Sequence, residues 1–280
     1  MRHIILHGHI FKNAGTTFDW SLEKIFGKGF LDHREDKLIR SEGREHLVQL
    51  VNENPHLHAV SSHHMPGDIP EQPGVRFIPI YLLRHPIERI RSVYNFERRQ
   101  KSGTAGAKAA KIKNFRDYVD WRMQPGVART IRNYQTRYLA GHHTRSSATD
   151  IPSRCFTEAL ATINNDVALV GLVEQYDKSM VVLEESLRVF FPAIDLSYVA
   201  QNIAAKKTVH SNTGDAIEKI LGELGDLQMT VIDENSFDLA LYQTVKFQLQ
   251  SRIENITDFP EKLRDFRQRC RRQSGGLFRR

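Results

Sequence analysis

Apolar residues along this chain follow two kinds of pattern, which together predict an open parallel sheet flanked by helices. Unbroken apolar runs, as in buried parallel strands, lie at about 3–11, 56–62, 75–83 and 166–172. Apolar residues at helical spacing predict helices at about 16–26, 41–51, 86–100, 114–123, 126–140, 175–190, 214–224 and 234–255. Strands that alternate with helices indicate an α/β fold, here with a helical last third.

The length of 280 residues fits one large domain, which we predict at 1–260. The Gly-containing run 102–107 is predicted to be a flexible break. It lies within 98–160, a region that we interpret as a helical insertion that holds the substrate or covers the site. Residues 261–280 are strongly basic and are predicted to form a flexible tail.

Two basic segments account for more than the whole net charge of +7. Residues 262–280 contain eight basic side chains and one acid, and residues 98–116 contain seven basic side chains and no acid. The rest of the chain is therefore net acidic. Such segments suit a polyanionic partner, although a solvated helix face and a disordered tail have the same composition. We expect no nucleic acid as a partner.

No apolar run reaches the ~18 residues that a membrane-spanning helix needs, and no signal-peptide pattern opens the chain. We therefore expect a soluble protein. It would be cytoplasmic if this is a full-length bacterial chain, or from the Golgi lumen if it is a trimmed eukaryotic catalytic domain. The two cysteines, Cys155 and Cys270, fit a reducing compartment better than a disulfide framework.

The residues Lys12 to Thr17 read Lys-Asn-Ala-Gly-Thr-Thr and follow the first predicted strand directly. The first amides of the next helix have no partner within that helix, and the helix dipole adds positive charge, so this junction suits a phosphate or sulfate. Gly15 allows close approach of the backbone, and Thr16 or Thr17 can cap the helix. The order differs from Gly-x-x-x-x-Gly-Lys-Ser/Thr, the usual mononucleotide loop, which weakens a generic kinase or GTPase interpretation.

A second anion site is predicted at the end of the apolar run 75–83. Arg84 follows the strand, while Arg89 and Ser92 are three residues apart and share one face of the next helix. Two guanidinium groups and a hydroxyl suit a terminal phosphate. An amphipathic helix with arginines for solubility would have the same pattern. Two such sites on successive strand ends indicate a ligand with two separated anionic groups.

With these two motifs in this order, the chain resembles the sulfotransferases that use 3′-phosphoadenosine 5′-phosphosulfate (PAPS). It is most similar to the branch with the carbohydrate and heparan sulfate O-sulfotransferases. In that family a Lys-Thr-Ala/Gly-Gly-Thr-Ser/Thr loop holds the 5′-phosphosulfate, and Arg-Asp-Pro followed by x-x-Arg-x-x-Ser-x-Tyr holds the 3′-phosphate. The matching residues for the first group are Lys12, Asn13, Ala14, Gly15, Thr16 and Thr17, and those for the second are Arg84, Arg89 and Ser92.

The resemblance covers roughly residues 3–250, with departures at Phe11, where proline is common, at Asn13 for a hydroxyl residue and at His85 for aspartate. It implies a nucleotide-transferase fold of the P-loop-like kind and PAPS as the cofactor, with 3′,5′-bisphosphate adenosine (PAP) as the product. It also implies sulfuryl transfer to a hydroxyl without a metal. The implied acceptor is a glycan or another acidic carbohydrate, which the basic segment 98–116 would suit.

The segment Ser61 to Pro66 contains two adjacent histidines, His63 and His64, after a short predicted strand. An alcohol must lose its proton as it attacks sulfur, and an imidazole can accept that proton near neutral pH. Consecutive strand residues face opposite ways, so we expect one of the two in the site. The resemblance favours His64 as the general base, with His63 as the fallback and a loop histidine without a role as the remaining alternative. Lys12 would stabilise the developing charge.

Three other functions fit parts of the sequence. A P-loop small-molecule kinase would need Mg²⁺ and usually a strand-terminal aspartate, whereas Arg84 stands at that position. A non-enzymatic polyanion binder would use the two basic segments. A metal-binding protein is the third alternative, although no cysteine or carboxylate completes a ligand set. Its ligands would be His7, His9, His63 and His64.

Overall fold

The computed structural model describes residues 1–33, 36–141, 152–165, 168–201 and 213–277. The strands within these ranges form one parallel sheet in the order β2-β3-β1-β4-β5. They are β1 (Arg2–Gly8), β2 (Phe30–Asp32), β3 (Ala59–Ser62), β4 (Val75–Leu83) and β5 (Leu169–Leu172). The open parallel sheet with flanking helices that the sequence predicts is therefore confirmed.

The helices of the described ranges lie between the strands and predominate among the described residues after β5. They are α1 (Gly15–Phe26), α2 (Asp36–Glu42), α3 (Arg44–Glu53), α4 (Pro86–Arg99), α5 (Ala105–Ile112), α6 (Phe115–Met123), α7 (Tyr134–Leu139), α8 (Pro152–Ile163), α9 (Tyr176–Leu187), α10 (Thr213–Leu224), α11 (Gln228–Asp233), α12 (Ser236–Glu254) and α13 (Phe259–Leu277). Among these ranges, no helix is both long enough and apolar enough to cross a bilayer.

The strand β1 lies in the middle of the sheet and leads into the candidate site. Gly8, its last residue, is in register with Ser62 of β3 and Tyr81 of β4, so the carboxyl ends of three strands lie side by side. After β1 the chain turns to one side of the sheet, and after β3 it crosses to the other side. This edge is therefore the topological switch point, where open α/β sheets bind their ligands.

A second hydrophobic cluster, separate from the sheet core, joins α4 to α5, α6 and α10. Within this region the buried side chains of Arg122 and Glu97 form an ion pair, with Nη2 2.5 Å from Oε1. The hydroxyl of Tyr118 donates to Glu97 at 2.6 Å and accepts from Nε of Arg122 at 2.8 Å. Burial of these charges is tolerated because each is paired and hydrogen-bonded. The cluster therefore anchors α4, which also borders the site.

Two helix predictions differ from the structure because residues with positive φ interrupt the predicted run. The helix predicted at 41–51 is two helices, α2 and α3, separated by Gly43 with φ 57°. The helix predicted at 126–140 is reduced to α7, because Gly126 has φ 79° and Asn133 has φ 41°. Left-handed residues of this kind do not continue a right-handed helix.

Two further predictions were wrong at the edges of regular structure. The strand predicted at 3–11 ends at Gly8, and the residues after it turn toward α1. The run 102–107 is not a flexible break, because α5 starts within it. Thr104 caps that helix by accepting a hydrogen bond from the amide of Ala107 at 3.3 Å.

The basic C-terminal segment, predicted to be a flexible tail, is helical over its described length as α13. Arg269 of this helix lies 2.8 Å from Glu184 of α9 and also pairs with Asp195. These ion pairs, together with the burial of Phe266, hold the helix on the domain despite its charge. The predicted domain boundary at 260 and the insertion 98–160 stay predictions. Parts of three predicted features lie outside the described ranges. They are 142–151 of the insertion, 166–167 of the last strand and 278–280 of the tail.

Candidate functional site

A cleft of about 670 Å³ lies beyond the carboxyl ends of β1, β3 and β4. Most of the predicted site residues line it, namely Lys12, Ala14, Gly15, Thr16, Thr17, His63, Arg84 and Ser92. Residues that the sequence did not assign to either anion motif also line it, namely His9, Phe11, Phe96, Arg99, Gln100 and Gln201. The two predicted anion motifs therefore share one cleft.

A slightly larger cleft of about 760 Å³ lies beside residues 67–79. Its charged lining residues are Asp68, Glu71 and Arg76. Two acids and one base do not favour an anion, so we place the candidate site in the cleft at the strand ends. That cleft is called the strand-end cleft below.

The loop between β1 and α1 has the backbone shape of an anion-binding turn. Lys12 and Ala14 have φ values of 68° and 59°, which are uncommon for residues with a side chain. The helix α1 begins at Gly15, where the first amides have no carbonyl of the helix to bond to. Strain of this kind concentrates at functional sites. Gly15 and Thr16, the first two residues of α1, line the strand-end cleft.

The two threonines of the loop have different surroundings. Thr16 is exposed and lines the cleft, so its hydroxyl is accessible to a ligand. Thr17 is buried, and its Oγ1 accepts a hydrogen bond from the amide of Gln201 at 3.1 Å. Asn13 is also buried, and its Nδ2 donates to Leu82 O at 2.7 Å, away from the cleft. Among the polar side chains of 13–17, Thr16 is thus the one best placed to meet a ligand.

The strand-end cleft is strongly electropositive. The Nζ of Lys12 lies 4.5 Å from the ring centroid of Phe96. Burial and, to a smaller extent, repulsion by Arg84, Arg99 and Arg89 together lower the pKa of Lys12 to about 8. A bound anion would relieve this repulsion. The sequence assigned Arg99 to a general basic segment, and the structure places it in the wall of the cleft.

Arg84 lies in the cleft wall between two acids. Its Nη2 is 3.1 Å from Glu88, its Nε is 3.9 Å from Glu174, and its Nη1 donates to Lys12 O at 3.4 Å. Burial raises the pKa of Glu174, although the His85 amide and Arg84 oppose that rise. The guanidinium is therefore held in a fixed orientation at the end of β4.

Arg89 does not line the strand-end cleft, although the sequence predicts it as an anion ligand. It is 1% exposed. Its Nε donates to Phe11 O at 3.1 Å, and its Nη1 donates to Thr130 O at 2.8 Å. Its guanidinium also lies over the ring of Tyr134, 4.2 Å from the centroid. Arg89 therefore supports the β1–α1 loop from within the protein.

The side chain of Gln135 also connects the two anion motifs. Its Oε1 accepts hydrogen bonds from Asn13 Nδ2 at 2.6 Å and from the Arg84 amide at 2.9 Å. Its Nε2 donates to Arg84 O at 2.9 Å. The carboxylate of Asp238 in α12 accepts from the Gln135 and Thr136 amides at 3.1 and 2.7 Å. This buried network fixes the loop relative to the end of β4.

The two candidate bases have different surroundings. The ring of His63 lines the strand-end cleft, and its Nδ1 is 2.8 Å from His9 O. A carbonyl oxygen only accepts, so Nδ1 carries the proton and Nε2 is the basic nitrogen of neutral His63. His64 does not line the cleft, and its Nε2 accepts from Arg40 Nη2 at 3.1 Å. The fallback residue is thus the one in the cleft.

Three buried residues, His7, His9 and Asp19, form a cluster behind the loop, and Asp19 is the one that the sequence did not point to. The carboxylate of Asp19 is 2.7 Å from His7 Nδ1 and 2.8 Å from His9 Nδ1. Burial opposes ionisation of Asp19, but the two histidines outweigh it and hold the pKa of Asp19 well below its usual range. The ring of His9 contacts that of His63, with centroids 4.1 Å apart. The sequence signal for Asp19 was an acidic residue among the positions of α1 that face the core.

No protein-family model matches the sequence. An uncharacterized protein of Archaeoglobus fulgidus is 29% identical over 252 residues, which are 87% of this chain and 96% of that protein. Among solved structures, a sulfotransferase from Alicyclobacillus acidocaldarius superposes with a TM-score of 0.37 at 11% identity, covering 86% of this chain and 96% of that one. The first names no activity and the second superposes too loosely to carry an argument. The function is therefore inferred from the residues of the cleft.

Proposed function

We propose that this protein transfers a sulfuryl group from PAPS to a hydroxyl of an acceptor. One observation carries this proposal: the β1–α1 loop, Arg84 with Ser92, and His63 all line the same cleft. A ligand with two separated anionic groups has a counterpart for each group there. A hydroxyl that enters the cleft meets the imidazole of His63, whose Nδ1 is bonded to His9 O and whose Nε2 is the basic nitrogen. The ordered pair of sequence motifs points to the same chemistry.

The residues present fit PAPS. The loop amides, Lys12 and Thr16 would hold the 5′-phosphosulfate, because they combine unpaired donors with positive charge. Arg84 and Ser92 would hold the 3′-phosphate, with Arg99 adding charge nearby. Arg89 contributes through Phe11 O rather than by direct contact. When bound, PAPS supplies the sulfuryl group and the leaving phosphate.

The chain's own residues perform two tasks in this reaction. Nε2 of His63 accepts the proton of the acceptor hydroxyl, while the Nδ1–H···O bond to His9 keeps the ring in the required tautomer. Lys12 and the first amides of α1 stabilise negative charge that develops on the oxygens around sulfur. The acceptor is proposed to be an acidic carbohydrate, because the exposed lysines of α5 would attract its anionic groups. These lysines belong to the basic segment 98–116.

The base is tested by a matched pair of variants. We expect His63→Ala to lower turnover by about 10²–10⁴-fold, the usual contribution of general acid–base catalysis. Affinity for PAP, measured by titration calorimetry, should change little, because His63 is not a phosphate ligand. His64→Ala removes the neighbouring histidine and should leave turnover close to that of the wild type. The reverse result would return the role to His64, and full activity of both variants would exclude both as the base.

The nucleotide separates this function from its rivals. We expect PAP to bind in magnesium-free buffer and to compete with inorganic sulfate. A P-loop kinase would instead bind ATP with Mg²⁺ and ignore PAP. A non-enzymatic polyanion binder would bind heparin-like polymers without turnover of PAPS. Labelled PAPS offered to glycans, glycolipids, phenols and peptides would then identify the acceptor class.

A further inference from the structure

We infer that His7, His9 and Asp19 form a binding site for one divalent first-row transition metal ion, of the Zn²⁺ type, behind the β1–α1 loop. Their candidate ligand atoms all lie within 4.8 Å of one another, and all three residues are buried. His7 and His9 are on the same side of the chain at the end of β1, and Asp19 faces them from α1. The fold thus supplies the carboxylate that the sequence did not place beside these histidines.

The contact between His9 and Asp19 is what favours an ion over a simple hydrogen-bonded pair. Nδ1 of His9 and Oδ2 of Asp19 are 2.8 Å apart. Both atoms are buried, yet within the described part of the chain neither makes a hydrogen bond of acceptable angle. Buried polar atoms are normally satisfied. Two buried polar atoms that converge at short range without a well-aligned hydrogen bond are the arrangement expected of neighbouring ligands of one cation.

The donor set indicates the class of metal. Two imidazoles and one carboxylate suit Zn²⁺ and related ions, whereas Mg²⁺ and Ca²⁺ prefer oxygen ligands. Metal–ligand distances in such sites are about 2.0–2.2 Å, so neighbouring ligand atoms of a tetrahedral site are about 3.4 Å apart. The present contacts of 2.7 and 2.8 Å need only a small expansion to reach that spacing. The ion can enter from the strand-end cleft, which His9 lines.

Metal binding at Nδ1 has a consequence for the loop. An imidazole that binds a metal through Nδ1 carries its proton on Nε2. The Nε2 edge of His9 lies against Gly15, where an added Cβ would overlap the ring. The metal-bound form therefore presents an N–H beside the first amides of α1. The ion would thus add one more donor, and positive charge, to the anion site.

The test uses the untagged full chain, stripped of metal and then titrated with Co²⁺ and with Zn²⁺. We expect one equivalent of Co²⁺ to bind and to give visible absorption bands, with Zn²⁺ displacing it. Asp19→Asn should weaken Co²⁺ affinity at least tenfold, since even residues outside the ligand set change affinity by about 10–100-fold. Zn²⁺ should also raise the melting temperature of the wild type but not of this variant. Neither readout needs sulfuryl transfer, so failure here leaves the proposed function untouched.

His46→Gln provides the matched control, because it removes the other close histidine pair, in which the Nε2 atoms of His33 and His46 are 2.9 Å apart. This variant should bind Co²⁺ as the wild type does. If the wild type binds no Co²⁺, or binds it equally well after Asp19→Asn, the inference is wrong. Loss of binding in His46→Gln alone would also overturn it. If Asp19→Asn does not fold, His9→Gln is measured in its place with the same expectation.

Discussion

The two anion motifs of the strand-end cleft are built in different ways. The loop after β1 offers backbone amides and one cation, and its shape depends on residues with positive φ and on the small size of Gly15. The end of β4 offers side chains, and Arg84 is held there by the acids Glu88 and Glu174. One half of the cleft is therefore fixed by backbone geometry, and the other half by charge pairing.

This difference predicts different consequences of substitution. A backbone site tolerates changes of side chain but not a change of shape. A side-chain site depends less on the shape of the backbone, but the loss of one charge leaves the opposite charges uncompensated. Gln135 connects the halves through Asn13 and the Arg84 backbone, so large damage to either half should also reach the other.

The largest effect is expected for Arg84→Ala. The variant removes the guanidinium that pairs with Glu88 and Glu174, whose side chains are only 7% and 5% exposed. Removal of one partner from a buried ion pair costs about 3 kcal/mol, so urea unfolding should show a loss of this order. Affinity for PAP should also fall. Adding Glu88→Gln to this variant should restore part of the stability but not the affinity. A single variant as stable as the wild type would contradict the charge-pairing account.

A smaller loss of stability, with complete loss of anion binding, is expected for Gly15→Ala. The new methyl group would overlap the ring of His9, and overpacking of this kind costs about 1–3 kcal/mol. The matched control is Gly222→Ala in α10, where an added Cβ meets no atom within 4 Å. That helical substitution should stabilise the protein by up to about 1 kcal/mol. Equal behaviour of the two variants in urea and in sulfate titrations would refute the shape requirement.

The smallest effect is a pH dependence of anion affinity that comes from Lys12. Its pKa is lowered to about 8, so its charge is lost as the pH rises through 8. Affinity for PAP should fall by about tenfold or less between pH 7 and pH 9. Between pH 8 and pH 10.5 the unfolded chain binds this proton more tightly than the folded chain does. The contribution of Lys12 to the free energy of unfolding therefore rises with pH in that window. Lys12→Arg stays charged and should show a flatter profile; identical profiles would exclude Lys12 as the titrating group.

The elements with a strong apolar period were predictable from the sequence, and those that depend on close packing were not. The strand β4 has the predicted limits, Val75–Leu83, because it is buried over most of its length and its apolar run is unbroken. The helix α5 was missed because Gly103 and Gly106, close together around its start, are typical of a flexible segment. Gly106 lies against Arg122 and Glu97, and a Cβ there would overlap both side chains. The need for glycine comes from a contact with α6 that no local pattern reveals.

The candidate site was predictable where one segment contains the whole motif. The run Lys12 to Thr17 is local, and Arg84 follows the best-defined strand. Which of His63 and His64 lies in the cleft depends on the backbone conformation of the turn after β3. The types of the residues in the turn do not determine that conformation. Asp19 was missed because its role depends on the packing of α1 against β1.

The hydrogen bond between Thr17 and Gln201 has a consequence for the order in which the protein folds. It joins residues 184 positions apart. Close to Gln201 in the sequence, Ser197 O accepts a hydrogen bond from Lys24 Nζ at 2.7 Å. Asp195 in that stretch is in turn paired with Arg269, close to the end of α13. During synthesis, the strands β1 to β4 leave the ribosome long before Arg269 does, and contacts this distant in sequence form late. In a nascent chain we therefore expect strands β1 to β4 to pair before residues 195–201 pack against α1. In a chain shortened at the C-terminus we expect the sheet to form while that packing is weakened.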